Sequence, residues 1–239
     1  MSHVESLDGI SVVVPAAGLG VRMGAEEPKQ YIQIAGKTIL EHTLIKILGL
    51  RPKILVLVVS AEDNLFKSIP VVDQCEVVCG GAERIDSVLS GLKDLQSGPN
   101  EWVMVHDAVR PCVRIADILS LCGELQDHEV GGLLGIPVTD TVKRVEKGSV
   151  IETQDRSQLW LAQTPQLFRH GLLMHALQAA PAGVTDEASA VELLGHRPKM
   201  VQGHGDNIKV TTREDLKVAS LHLSRERNSQ ELHSRELQS

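Results

Sequence analysis

The chain has 239 residues, with 24 Lys and Arg against 31 Asp and Glu for a net charge of -7. That length lets a single α/β domain bury most of its apolar surface without disulfide staples, and the acidic balance, lacking any basic stripe, argues against a nucleic-acid-gripping surface. No apolar leader follows Met1 and the longest apolar run, Ile54 to Val59, is too short for a bilayer, so a cytoplasmic location without a membrane partner is expected.

Aromatic residues are only 2% of the chain. The core therefore falls to Val, Ile, Leu and Ala, which suits a parallel sheet covered by helices. Ser11–Pro15 reads as a fully buried first strand. Ile39, Leu40, Leu44, Ile47 and Leu48 fall on one face of a helix predicted over Thr38–Leu50. Lys53–Val59 and Glu76–Cys79 read as strands. Val88, Leu89, Leu92 and Leu95 give an inward face to a helix over Glu83–Leu95. Trp102–His106 is a further strand, Ile115–Leu125 a helix, and Gly132–Val138 another strand. This alternation predicts βαβ units in a single Rossmann-like, mostly parallel sheet flanked by helices.

The pattern then changes. Thr141–Val145 and Ser149–Gln154 are short, polar and β-prone, split by Glu146-Lys147-Gly148 as in a hairpin. An isolated hairpin is marginal in water. Residues 139–156 are therefore expected to project as a β-arm onto a partner subunit, with a hairpin lying on its own domain as the alternative. Leu167–Ala179 and Asp186–Leu194 read as helices, Lys199–Gln202 as a strand and Arg213–Leu223 as a helix, giving a domain over residues 8–224. Residues 225–239 carry almost no apolar face and are expected to form a frayed helix or a disordered tail. The four cysteines lack metal-site spacing and are expected to be reduced and partly buried.

The most informative stretch follows the first strand: Pro15-Ala16-Ala17-Gly18-Leu19-Gly20, then Arg22, Met23, Gly24 and Pro28-Lys29-Gln30. Small residues let backbone approach a ligand closely, and successive N–H groups in such a loop form an anion-binding nest. Arg22 and Lys29 add two positive charges, a set better suited to a triphosphate than to one phosphate. A Walker loop would need Gly-Lys-Ser/Thr, but Val21 and Arg22 follow Gly20. A dinucleotide fingerprint would need G-x-G-x-x-G and an acid about 20 residues on. Gly24 comes one residue late, and no such acid closes the second strand.

These residues resemble the signature of the 2-C-methyl-D-erythritol 4-phosphate cytidylyltransferases. Later segments extend the resemblance in order over nearly the whole chain except its ends: Gly80-Gly81 with Arg84 and Ser87, His106 to Pro111, Asp140 to Arg144, Thr164-Pro165-Gln166, Thr185 to Ala188, and Asp206 to Thr211. Val21, Ala82 and Val109 depart from the family's usual residues without removing a charge assigned to catalysis. The resemblance implies a nucleotide-diphospho-sugar transferase type of fold with the projecting arm. It also implies CMP transfer from CTP to the polyol phosphate, with pyrophosphate leaving, in non-mevalonate isoprenoid precursor synthesis. Such chemistry asks the protein chiefly for positioning and charge neutralisation, and the sequence presents no compelling nucleophilic triad.

By this resemblance Arg22, Lys29, Arg156 and Lys209 are the catalytic cations. Ala16, Ala17, Gly18 and Gly20 contact the nucleotide, Gly81 and Ser87 read cytosine, and Arg84 lies near that pocket or caps a helix. Asp107 and Ala108 meet ribose or polyol hydroxyls. Arg110 serves the polyol phosphate, with an Asp107–Arg110 ion pair as the structural alternative. Thr141, Arg156, Thr164, Thr185 and Lys209 complete the second substrate's site. Thr141 and Arg156 lie on an arm that crosses to the neighbouring subunit, so the resemblance implies a homodimer with shared sites. His106 reads as structural. Mg²⁺ is expected on the CTP phosphates. The chain has no D-x-D triplet to build a protein-only cage. The rival readings are a ribitol 5-phosphate cytidylyltransferase, a dinucleotide-dependent oxidoreductase and a non-catalytic nucleotide-binding regulator.

Overall fold

The computed structural model describes residues 4–18 and 28–236, with side chains to residue 227. The first strand, β1 (Ser11–Pro15), is buried from Ser11 through Val14, as its unbroken apolar run requires. A small hairpin follows, β2 (Gln33–Ile34) with β3 (Lys37–Thr38). Helix α1 (Ile39–Gly49) is capped by Thr38, whose side chain accepts the Glu41 N–H. Next come β4 (Ile54–Val59), β5 (Glu76–Cys79), α2 (Arg84–Asp94), β6 (Trp102–Val105), α3 (Ile115–Leu125) and β7 (Gly131–Pro137). Each lies within a residue or so of its sequence-predicted range.

The hairpin arm is β8 (Val142–Glu146) and β9 (Ser149–Gln154), which form a two-stranded sheet of their own. Their turn is Lys147-Gly148, both at positive φ, the backbone that a two-residue hairpin loop demands. Then follow β10 (Trp160–Arg169), α4 (His170–Ala179), α5 (Glu187–Leu193), β11 (Lys199–Gln202) and α6 (Arg213–Glu236).

The main sheet runs β11-β7-β10-β6-β1-β4-β5. Pairings β1·β4, β1·β6, β4·β5 and β7·β11 are parallel, while β10 runs antiparallel to both β6 and β7. Side chains alternate across the strands. Val12 and Val14 face α1 and α3, meeting Leu40, Leu44, Ile118 and Leu121. Val13 faces the opposite layer, with Val88 and Leu92 of α2 and Leu173 of α4. Each such side chain, fully buried, contributes roughly 1.5–3 kcal/mol. A third cluster of Ile34, Ile39, Val109, Val210, Ala219 and Leu223 seats α6 against the base of the β2–β3 hairpin.

One expectation is corrected. The helix predicted from Leu167 begins only at His170, because residues up to Arg169 belong to β10. Leu167 and Phe168 are buried on opposite faces of the sheet, so their adjacent apolar side chains imitate the start of a helical stripe. The polar stretch after residue 224 continues α6 to Glu236, the helical of its two expected forms. Its Arg, Glu and Gln are good helix formers. Among the thiols, Cys112 and Cys122 are buried and Cys75 is partly so, but Cys79, on edge strand β5, is exposed. No described helix is long and apolar enough to cross a membrane.

Candidate active site

Where β1 ends, Ala16 donates its N–H to the Val58 carbonyl, and its own carbonyl accepts from buried Gln30 Nε2 at 2.9 Å. These bonds fix the start of the small-residue loop at the carboxyl edge of the sheet, where open α/β folds bind ligands. A cavity of about 580 Å³ opens there, a size suited to a nucleotide-sized ligand. Ala16, Ala17, Gly18, Gly81, Arg84, Ser87, Asp107, Ala108, Lys29 and Lys209 all line it, so most of the predicted nucleotide residues share one wall. Gly20 and Arg22 lie outside the described residues.

The glycines after β5 are set by close approach. A Cβ on Gly80 would lie 2.6 Å from Ser87 Oγ and 2.7 Å from Ala17 Cβ. One on Gly81 would lie 2.2 Å from Asp86 Cβ. The strand end is thus pressed onto the first turn of α2, forming a narrow slot beside Ala17. Ser87 Oγ donates to the Glu83 carbonyl at 3.1 Å. Its proton is spent, and its remaining lone pairs can only accept.

An ionic cluster centred on Asp107, which follows β6, borders the cavity. Its carboxylate is met by Arg84 Nη2 at 3.0 Å, Lys209 Nζ at 3.0 Å and Arg110 Nε at 3.4 Å. Burial alone would raise the Asp107 pKa, but Arg84, Lys209 and Arg110 outweigh it and hold the carboxyl well below the usual range. Arg84 turns its other edge to Glu187, with Nη1 donating to Oε1 at 2.6 Å. Burial opposes the charge on Arg84, yet Glu187 and Asp107 together raise its pKa. Arg110 also donates to the Asn207 carbonyl at 2.7 Å. The ion-pair alternative for Asp107 and Arg110 is therefore what the fold contains.

A buried relay fixes the backbone of Asp107. Its N–H donates to Thr164 Oγ1 at 3.0 Å, and Thr164 Oγ1 lies 3.0 Å from His106 Nδ1. His106 Nε2 faces the Arg110 carbonyl at 3.2 Å. That carbonyl can only accept, so Nε2 carries the proton and Nδ1 accepts from Thr164. Burial pushes the His106 pKa down to about 4, against the pull of Asp107, and keeps the ring neutral. The Thr164 hydroxyl proton is thus directed at His106 Nδ1, inside the protein.

The arm residues lie elsewhere. Thr141 and Thr185 are exposed and do not line the cavity. Arg156 is exposed at the start of a 3₁₀ turn (Arg156–Gln158) and donates to the Thr139 carbonyl. These three do not join the cavity within one chain. Sequence reasoning gave no role to Glu187, Asn207 or Gln30. Each is buried and polar, but their value comes from long-range partners that no local pattern reveals.

A mostly parallel sheet with a small-residue loop at its carboxyl edge, facing cations gathered on one aspartate, is the arrangement of a nucleotidyltransferase. A family model described as 2-C-methyl-D-erythritol 4-phosphate cytidylyltransferase matches residues 10–225. The enzyme of that name from Mannheimia succiniciproducens is 49% identical over 223 residues, covering 90% of this chain and 96% of its own. That from Vibrio vulnificus is 47% identical over 234 residues, covering 94% and 98%. The crystal structure of the Francisella tularensis enzyme superposes with a TM-score of 0.78 at 37% identity, covering 89% of this chain and 99% of the other. A crystal structure of a 4-diphosphocytidyl-2C-methyl-D-erythritol synthase gives 0.80 at 38%, covering 90% and 98%. The chain belongs to the 2-C-methyl-D-erythritol 4-phosphate cytidylyltransferase family.

Proposed function

We propose that the cavity beside Gly18 is where this chain transfers CMP from CTP to 2-C-methyl-D-erythritol 4-phosphate in the non-mevalonate route to isoprenoid precursors. The observation that carries the reading is the meeting of Arg84, Arg110 and Lys209 on Asp107 beside the cradle of Ala16, Ala17 and Gly18. A phosphate oxygen of the polyol attacks the α-phosphorus of CTP. A new P–O bond forms, the bond from the α-phosphorus to the bridging oxygen breaks, and pyrophosphate leaves with that electron pair. The attacking phosphate is already ionised at neutral pH, so no protein base is required.

The chief obstacle is repulsion between two anions in a confined site. Lys29, which lines the cavity, and Arg22, from the adjoining loop, serve the triphosphate. Lys209 serves the reacting phosphates. Gly80 and Gly81 make the slot thin enough for a pyrimidine. Ser87 Oγ, its proton given to Glu83, accepts from the cytosine amine and has no hydrogen for the carbonyl oxygen of uracil. Thr164 acts through Asp107 and not on the substrate.

The magnesium ion that accompanies a nucleoside triphosphate finds no ready cage here. No three His, Cys, Asp or Glu side chains converge among the described residues. Asp107, the carboxylate at the centre of the cluster, already carries three cations. Magnesium is accordingly assigned to the triphosphate, as this ion commonly binds. We assign Arg156 and Thr141 to the polyol phosphate of a neighbouring subunit's site. Val145, Val150 and Ile151 of the arm and nearby Leu161 are exposed, an apolar surface that a homodimer would cover. Thr185, exposed and away from this chain's own cavity lining, is assigned to the same shared site. The four free cysteines agree with a reducing, cytoplasmic setting.

Pyrophosphate release measured with each of the four nucleoside triphosphates, paired with methylerythritol phosphate or ribitol 5-phosphate, tests the reading. Release is expected only with CTP and methylerythritol phosphate. Substituting Lys209→Met should lower turnover about 100-fold or more, as losing one charge-stabilising donor does elsewhere. Equal release with UTP, or full activity in the variant, would overturn the assignment.

A further inference from the structure

Glu187 has no place in the chemistry above, yet its side chain has no solvent exposure at all. It opens α5, far along the chain from its partner. Its Oε1 and Oε2 accept from Arg84 Nη1 and Nη2 at 2.6 and 3.2 Å. The third donor of the same guanidinium, Nε, reaches Asp107 Oδ1 at 3.1 Å. One planar fork thus spans two carboxylates, one on each side.

A buried ion pair is weak evidence of stabilisation, because packed apolar residues of similar volume often serve a core as well. The charge count gives a different reason for this pair. Arg84, Arg110 and Lys209 all face Asp107, and one carboxylate cannot neutralise three cations. Arg84 keeps about a quarter of its side chain exposed and lines the cavity. Without a second anchor, it would be drawn toward an incoming triphosphate. Asp107 would then lose the partner that fixes its Oδ1. The Oδ2 atom that holds Lys209 would lose its orientation with it.

We propose that Glu187 is a positioning residue for the transfer reaction, clamping the Arg84 guanidinium against Asp107 so that Asp107 in turn aims Lys209 at the reacting phosphates. The inference rests on the cytidylyl-transfer reading of the cavity. Glu187 touches no substrate. It acts through Arg84, and the effect of losing it belongs to turnover more than to nucleotide binding.

The test uses the full chain and three variants: Glu187→Gln, Arg84→Met and the double substitution. Thermal unfolding and steady-state kinetics in both substrates are measured for each. Wild-type release of pyrophosphate is read first, because its absence would sink the transfer reading itself and this proposal with it. With wild type active, Glu187→Gln should unfold near the wild-type temperature, lose at least ten-fold in kcat and keep or lower its KM for CTP. The double variant, in which Glu187 is no longer stranded, should unfold above Arg84→Met but stay as slow as it, with no multiplicative further loss. A Glu187→Gln enzyme with wild-type kcat overturns the proposal. A double variant restored to wild-type kcat also overturns it, since the pair would then serve the core alone. Failure of both the single and the double to fold counts against it for the same reason.

Discussion

Asp107 shows how one residue's surroundings decide its behaviour. In water it would be an ordinary carboxylate. Here burial is outweighed by Arg84, Lys209 and Arg110, which hold its carboxyl charged well below the usual carboxylate range. Its neighbour His106 goes the other way, neutral with a pKa lowered to about 4 by burial. The lowered value means that the unfolded chain takes up a proton near pH 6.5 while the folded chain resists until about pH 4. The stability His106 contributes is therefore complete above pH 6.5 and is lost as pH falls through that window. By pH 5 the loss should reach about 2 kcal/mol. Chemical denaturation from pH 7 to pH 5 should show this decline, and a His106→Asn variant, which cannot titrate there, should decline less. Equal slopes would contradict the neutral, buried ring. His106 and its sequence neighbour Asp107 were both visible in the sequence as the end of a strand. The direction of each shift was not, because the burial of His106 and the approach of Arg84 and Lys209 to Asp107 are set by distant segments.

At the scale of elements, α2 links the core to the site. Its inward face packs Val88 and Leu92 against β1 and β4, and its first turn supplies Arg84 and Ser87 to the cavity. Gly91 is what lets it come so close. A Cβ there would lie 2.6 Å from Val13 Cγ1 and 2.9 Å from Val58 Cγ2. Overpacking of that kind costs about 1–3 kcal/mol. Alanine regains about 1 kcal/mol over glycine from helix propensity. Gly91→Ala should still lower the urea midpoint, with the denaturant slope unchanged, and shift α2 enough to weaken CTP use. A more stable Gly91→Ala protein would refute the close packing. The period of Val88, Leu89, Leu92 and Leu95 made this helix legible. β10 was not legible, since its later half is buried on both faces and has no alternation to read, and its neighbours β6 and β7 lie in other segments of the chain.

At the scale of the whole molecule, the described cations assigned to the reaction fall in two places. Lys29, Arg84 and Lys209 line one chain's cavity, whereas Arg156 sits exposed on the arm. If the arm completes a neighbour's site, two defective proteins can repair each other. Lys29→Ala and Arg156→Ala should each be nearly inactive alone. After mixing under conditions of proven subunit exchange, they should recover up to about a quarter of wild-type activity, in those pairs where one site is intact. No recovery would count against the shared site. Sedimentation of the wild type gives an independent reading, with a dimer expected.

The sequence by itself determined the alternation of strands and helices, the glycine–alanine turn after β1 and the family's motif residues, because these depend on local spacing and side-chain size. Only the tertiary structure decided which charges cancel. Glu187 became Arg84's second anchor, Thr164 became a prop for Asp107, and Arg156 stayed apart from the cavity of its own chain. The reason is range. Propensity and period are written within a few residues, but the ion pair of Arg84 with Glu187 joins positions 103 residues apart, and only the packed sheet brings those together.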